Sequence, residues 1–441
     1  MSRQRLIYNV FGVYASDTAT GYHALDYNGV PINLTELSLF DYNRVRQIDR
    51  IQNFQYSIDI SRTNVAQLGK RGLVNNYIIS RPPINISFDY LLGGLRNEAR
   101  LGFVVNYLNS TGEPILSQEI CAFKNFTGYF EDCRNIFVAV SPNNEKDIND
   151  NIQDSNNPNS SIDPKDLQVW GFGNCYINSY SVNAGIGQFP SASVGYICDN
   201  INLTSSGSGA NIPAVHPKTG NLIPGIKFVI PRAESIKDPS VFRPGDITLK
   251  IGDFLNHTGV FSETAEGLFG VTSLGMPIQS FDLSVNLERE ELKSIGYVLP
   301  VDRRINFPIF AQINLSTIIE DNKSGDLSLY LNQNTPYSIL IDMLNPGCSD
   351  QEIGMQFKIH NCKLEKVNYG VSVNNKLIGN FGFIAEIDMD DASKGFYISG
   401  ILNAPFPEVN ANYLLLQERN QTGFLLLDDE DLIIINNIPI V

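Results

Sequence analysis

Charge is what this chain has least of. Asp, Glu, Lys and Arg make up 18% of its 441 residues, against about 25% in an ordinary soluble domain. A surface so poor in charge and so rich in Asn, Ser and Gly suits a protein that is covered in an assembly. The few charges are unbalanced, with a net charge of −15. That excludes a protein that grips phosphates with Lys and Arg, because released counterions supply most of such affinity. A protein that encloses nucleic acid without holding it remains allowed. Histidine is nearly missing: His23, His216, His257 and His360 lie far apart, with no HxH or HxxxH spacing for a metal. The six cysteines (Cys121, Cys133, Cys175, Cys198, Cys348, Cys362) form no CxxC pair and read as small buried apolar residues. No apolar run reaches 18 residues, so membrane insertion is not expected. In the opening "MSRQRLIYNVFGVYAS", Asn9 breaks the short apolar stretch, which argues against a secretory leader.

Motifs for catalysis are equally sparse. There is no GxSxG and no GxxxxGK[ST] phosphate loop. "GIGQF" (185–189) lacks the third glycine of a dinucleotide fingerprint and falls in an expected hairpin turn. "DMDDASKG" (388–395) has Ala392 and Ser393 where a calcium loop needs an oxygen ligand and glycine, so it reads as a solvated acidic turn. "LLLDDEDL" (425–432) reads as a turn between strands. The expectation is a protein that is not an enzyme, with no cofactor, no metal site and no catalytic residues.

What the chain does have is a repeat. "IQNFQYSIDISRTNVAQLG" (51–69) returns as "IQSFDLSVNLEREELKSIG" (278–296), with six of nineteen positions identical and no gap. In the first copy Ile51, Phe54, Ile58, Ile60, Arg62 and Gly69 are the candidate core and assembly residues. Their counterparts are Ile278, Phe281, Val285, Leu287, Arg289 and Gly296. Alternation along 54–60 and 281–287 predicts a strand with one buried face. Val65 and Leu68, three apart after Asn64, predict one helical turn that stops at Gly69. Downstream, "PPINISFDYLL" (82–92) answers "AQINLSTIIED" (311–321), and "RNIFVAVSPNNEKDIND" (134–150) answers "YSILIDMLNPGCSDQEIG" (337–354). "GNCYINSYSVNAGIGQFPSASVGYI" (173–197) answers "HNCKLEKVNYGVSVNNKLIGNFGFIAEI" (360–387), both opening on Asn-Cys. Pro142 to Asn174 spans 32 positions but Pro346 to Asn361 only 15, leaving a 17-residue insertion in the first copy near 150–165.

The expected fold is therefore mainly β. It comprises two similar antiparallel sandwich or barrel domains, each with a short flanking helix, plus terminal extensions. Residues 1–203 form the first domain with a 40-residue arm, 204–241 a linker around "TSSGSGAN", 242–401 the second domain, and 402–441 a C-terminal hairpin. Tyr413, Phe424, Ile433 and Ile435 in that hairpin are expected to pair with a neighbouring chain.

In this succession of segments, roughly residues 44–401, the chain resembles the tail tube (major tail) proteins of long-tailed bacteriophages. "FRPGDITLKI" followed by "MPIQSFDLSVNLEREELKSIG" is similar to the second half of tube proteins built from two fused copies. The resemblance implies six-domain rings, here three chains in a pseudo-sixfold ring, stacked into a tube through which genomic DNA leaves without specific binding. It implies the chain itself, the tape measure, the terminator and the distal tail protein as partners, and a place in the virion after assembly in the bacterial cytoplasm. A tube-end role (distal ring, terminator or neck component) is the first alternative. A glycan- or receptor-binding virion protein is the second; it would want exposed aromatics, and the single Trp170 stands before an expected strand.

Overall fold

The computed structural model describes residues 11–16, 45–79, 81–108, 119–126, 133–141, 166–222, 227–230, 241–253, 278–318, 336–345, 353–370, 378–401, 423–428 and 431–436. The first half contributes β1 (Phe11–Ser16), β2 (Val45–Gln47), β3 (Ile51–Ile58), β4 (Thr63–Val65), β5 (Asn75–Tyr77) and β6 (Ile84–Leu91). A helix, α1 (Arg96–Leu101), follows, then β7 (Val105–Leu108), β8 (Cys133–Val140), β9 (Gln168–Gly185), β10 (Ser191–Thr204), β11 (Ser208–Asn211) and β12 (Lys227–Val229). The second half contributes β13 (Ile247–Asp253), β14 (Ile278–Asn286), β15 (Arg289–Leu292), β16 (Asp302–Ile305) and β17 (Ile309–Ile318). It ends with β18 (Tyr337–Leu344), β19 (Ile353–Gly370), β20 (Ile378–Ile387), β21 (Phe396–Ile401), β22 (Gly423–Asp428) and β23 (Asp431–Asn436).

Strand residues alternate as one-sided burial requires. In β6, Ile84, Ile86, Phe88 and Tyr90 are buried while Asn85, Ser87 and Asp89 face outward. β8 is covered on both faces, so CRNIFVAV carries no alternation and all eight residues are buried. The strands join one large, mainly antiparallel sheet in the order β13-β18-β19-β20-β17-β14-β9-β10-β6-β3, with β8 between β1 and β9. It does not close into a barrel: β3 and β13 end the order.

Pairing registers in the two halves coincide. Phe54 stands opposite Phe88 and Ile58 opposite Ile84; 227 positions on, Phe281 stands opposite Leu315 and Val285 opposite Ala311. Both pairs of strands slip register at the same point, between Ile51 and Asn53 and between Ile278 and Ser280. Cys175 faces Cys198 as Cys362 faces Ala385, and Val13 faces Val138 as Leu249 faces Ile341. Asn174 and Asn361, before the paired cysteines, both adopt left-handed backbone, at φ 52° and 58°. Strand β1 therefore has β13 as its counterpart, although residues 11–16 lie within the arm expected to stand apart.

The helical turn expected after each copy is absent. Residues 63–65 and 289–292 are strands of two small hairpins, again in matching register: Val65 opposite Asn75, Leu292 opposite Asp302. One turn forms too few hydrogen bonds to repay fixing its backbone, whereas a hairpin closes on its own partner, with Val74 N–H donating to the Val65 carbonyl at 2.8 Å. Gly69 and Gly296 sit at φ 83° and 88°, so both glycines serve their turns as left-handed residues. The helix of the first half is α1 instead. It ends on Gly102 at φ 98°, whose N–H donates to the Ala99 and Glu98 carbonyls. The corresponding stretch of the second half lies outside the described residues, as do the insertion near 150–165 and the acidic stretches at 142–150 and 346–352.

Two further details differ from the sequence reading, and a third agrees with it. The segment around 204–211 is not bare linker, since β11 pairs with β12. Trp170 lies within β9, partly buried against the rings of Phe11 and Tyr56. The C-terminal hairpin turns between Asp428 and Asp431, inside the acidic stretch read as a turn between strands.

Candidate functional site

The two copies of the repeat meet different fates. β14 is an inner strand: it pairs with β17 on one edge and with the second part of β9 on the other. Ser280 faces Gly185, Leu283 faces Val182 and Asn286 faces Ser179 along that seam. Phe281, Leu283 and Val285 in β14 are buried, as is Leu287 just beyond it. β3, in the same register on β6, is an end strand with nothing on its other edge among the described residues. There Tyr56 is 47% exposed and Ile60 55%, where their counterparts Leu283 and Leu287 are at 0%. Exposure continues through the β4–β5 hairpin at Val65, Leu73, Val74, Tyr77, Ile78 and Ile79. An apolar patch of this extent marks an interaction surface.

A second free edge matches the first. β9 carries β8 along residues 168–176 and β14 along 179–185. β19 carries β18 along 353–362, and its continuation to Gly370 on that side pairs with no described strand.

The β15–β16 hairpin explains the shared arginine. Arg289 donates from Nε to the Ile177 carbonyl at 2.7 Å and from Nη1 to the Arg303 carbonyl at 2.8 Å, with its guanidinium 5.4 Å from the centre of the Tyr176 ring. Beside it, Arg303 is buried against Asp199 at 2.9 Å and Glu291 at 2.5 Å. Burial pushes the Asp199 carboxyl upward and the Arg303 guanidinium holds it back. Arg62, the counterpart of Arg289, is exposed. The hairpin tips remain bare in both halves: Leu68 and Ile295, each before its left-handed glycine, are fully exposed.

Behind the seam the sheet presents a broad polar face. Directly paired residues share a face, which gives rows such as Lys366, Gly382, Asn314, Asp282, Asn183 and Ser191 across β19, β20, β17, β14, β9 and β10. The next row holds Ile384, Gln312, Ser284, Ser181, Ser193, Asp89 and Asn53. The second row continues to Lys363 on β19, so the charged groups of the two rows are Lys366, Lys363, Asp282 and Asp89, two of each sign. The face dips into an open concavity of about 700 Å³ around Asn183, Ser280, Asp282, Asn314 and Asn380. Nothing there has the paired acids and bases of a reaction centre.

Buried titratable groups serve the core. Glu98 of α1 is enclosed and accepts from the Tyr90 hydroxyl at 2.9 Å and the Tyr180 hydroxyl at 3.4 Å. Burial pushes its carboxyl up to about 7, with the hydroxyl donors and Arg50 pulling the other way. Ser338 Oγ and His360 Nδ1 lie 2.8 Å apart, both buried. Burial and the nearby Lys358 push His360 down to about 3, so it cannot take a proton near neutrality as a general base would. Cys121, Cys133, Cys175, Cys198 and Cys362 are buried thiols in no disulfide. Among the described residues no three His, Cys, Asp or Glu side chains are grouped to hold a metal, and no helix is long and apolar enough to cross a membrane.

Of the residues singled out in sequence, Phe281, Val285 and Leu287 lie in the core. Ile51 and Phe54 are half-buried, Phe54 stacking on Phe88 at 6.2 Å. Ile58, Ile60 and Arg62 are exposed on the β3 edge and its exit. Ile278, Phe424, Ile433 and Ile435 lie in β14, β22 and β23 by backbone, and Tyr413 lies outside the described residues. Glu98, Arg303 and Asp199 escaped sequence reading because no spacing links residues that meet only through the sheet. No protein-family model matches the chain, and no curated protein matches its sequence. Among solved structures, the SPP1 tail tube determined by solid-state NMR and cryo-EM aligns with 37% of this chain and 81% of its own, at 11% identity and a TM-score of 0.22.

Proposed function

We propose that this protein is a structural subunit of a long-tailed bacteriophage tail, which associates with its own copies into the rings of the tail tube. The observation that carries self-association is the patch on β3 and its hairpin: apolar side chains stand in solvent where the same positions of the second half are buried. The tail assignment rests on the succession of segments between residues 44 and 401. Matching registers in the two halves support descent by internal duplication, with domains near 1–203 and 242–401, so that three chains supply six units to a ring. The polar face of Ser, Asn, Gln and Gly suits the wall of a channel. It offers DNA few cations, so phosphates slide past rather than stick. The exposed tips at Leu68 and Ile295 suit contacts between stacked rings. The tape measure, the terminator and the distal tail protein are then its neighbours in the virion, and the chain needs no cofactor.

Negative-stain microscopy of the purified protein tests this, together with copy number per particle by quantitative mass spectrometry. Stacked tubes and hundreds of copies are expected. Closed rings that never stack, at six or fewer copies, would move the protein to the end of the tube. Dispersed particles under every condition would refute self-assembly.

A further inference from the structure

The seam inside one chain is a template for the contact between chains. Its two participants, β14 and the second part of β9, have counterparts in β3 and the second part of β19. Both counterparts have an edge with no partner among the described residues. Carrying the seam across by the matching registers places residue 58 opposite 367 where Val285 faces Tyr180, and 59 opposite 366 where Asn286 faces Ser179. We propose that the open edge of β3 pairs antiparallel with the open edge of β19 beyond β18 in a second copy of this chain, Ile58 opposite Val367 and Asp59 opposite Lys366. The inference rests on the self-assembly reading and adds the partner strand and its register.

The chemistry of the two edges fits. Ile58 is exposed at 39% and meets Val367, which is partly buried on the apolar side of β19. Asp59 and Lys366 are both exposed on the polar side, and cross-strand neighbours stand about 5 Å apart. Within the chain that position holds the neutral pair Asn286 and Ser179; between chains it holds opposite charges. Arg62 reaches the Leu364 carbonyl of the second copy as Arg289 reaches that of Ile177. Each copy brings one edge of each kind, so the contact is head-to-tail and propagates around a ring. A main-chain ladder satisfies the unpaired N–H and C=O groups of both edges.

The test uses the full chain in a Cys348→Ser background, since the other five cysteines are buried. Ser57→Cys and Asn368→Cys fall opposite each other between chains. Ser284→Cys with Ser181→Cys is the same position in the intrachain seam and shows whether that pair can close a disulfide. On mixing and oxidation, the single variants Ser57→Cys and Asn368→Cys should give covalent dimers and nothing larger. The double variant should link on to trimers, the chains of one ring. Gln55→Cys with Asn368→Cys, out of register, should link at least ten-fold more slowly. Asp59→Lys and Lys366→Asp should each weaken association several-fold, and together restore it. Assemblies that form while the in-register pair stays unlinked, or links no faster than the out-of-register pair, would overturn this contact and leave self-assembly standing. Chains that never associate would overturn both.

Discussion

Residues 51–58 and 278–286 share a sequence pattern and a pairing register, and their surroundings differ. Each pairs with the following long strand in one register and with one bulge. Among the described residues one has a neighbour on both edges and the other on one. Phe281, Leu283, Val285 and Leu287 are buried where Phe54, Tyr56, Ile58 and Ile60 are half-buried or exposed. An apolar strand pattern states that a face will be covered. It does not state by which chain.

The sharpest way to break this comparison is to charge both strands. Leu283→Asp puts a carboxylate at a fully buried position and should unfold the protomer, a cost of several kcal/mol. Tyr56→Asp, its counterpart, should leave the melting temperature within a few degrees and abolish assembly; thermal melts and sedimentation read the two outcomes. Truncation is milder. Phe281→Ala should cost about 3–5 kcal/mol in denaturant unfolding, and Phe54→Ala, half-exposed on Phe88, about 1 kcal/mol. Equal losses would mean that β3 is covered in the protomer after all.

Glu98 tests the covered seam from behind. Its partner Tyr180 stands opposite Val285 in that seam. The Glu98 carboxyl titrates near 7 in the fold and near 4.5 when free, so the folded state binds the extra proton between those values. Its contribution to stability is therefore full below pH 4.5 and falls as pH rises to 7. Glu98→Gln should remove that decline. His360, pushed down to about 3, acts with opposite sign below pH 6.5, and comparing Glu98→Gln with the parent at each pH cancels it. An unchanged difference from pH 4.5 to 7.5 would refute the assignment. The smallest effect belongs to the shared arginines. Arg289→Ala removes two charge-assisted hydrogen bonds and should cost about 2 kcal/mol. Arg62→Ala, on the open side, should change protomer stability by less than about 0.5 kcal/mol and weaken assembly.

Much of this was legible in sequence because it is local. The strands at 54–58 and 281–286, the glycines at 69 and 296 and the repeated Asn-Cys each fix backbone within a few residues and each has its structural counterpart, although the buried face expected along 54–60 appears only in the second copy. What sequence concealed is non-local. Val65 and Leu68 show helical spacing, yet pairing with residues ten positions on made a hairpin. β1 carries no repeat identity that reads by eye, and only its pairing with β8 matches it to β13. The ion pair of Arg303 and Asp199 joins residues 104 apart across the halves. The strand order that sets β14 inside and β3 at the end depends on chain-wide packing, so segments of one pattern could not announce their different burial.

Amide hydrogen exchange tests most directly whether β3 is covered by another copy. In dispersed protomers β14 should be protected throughout and β3 only at the alternate amides bonded to β6. In assembled material the remaining amides of 53–59 and those of 366–370 should slow together by at least a hundred-fold. If both segments exchange at the same rate before and after assembly, the two open edges do not meet and the account is wrong.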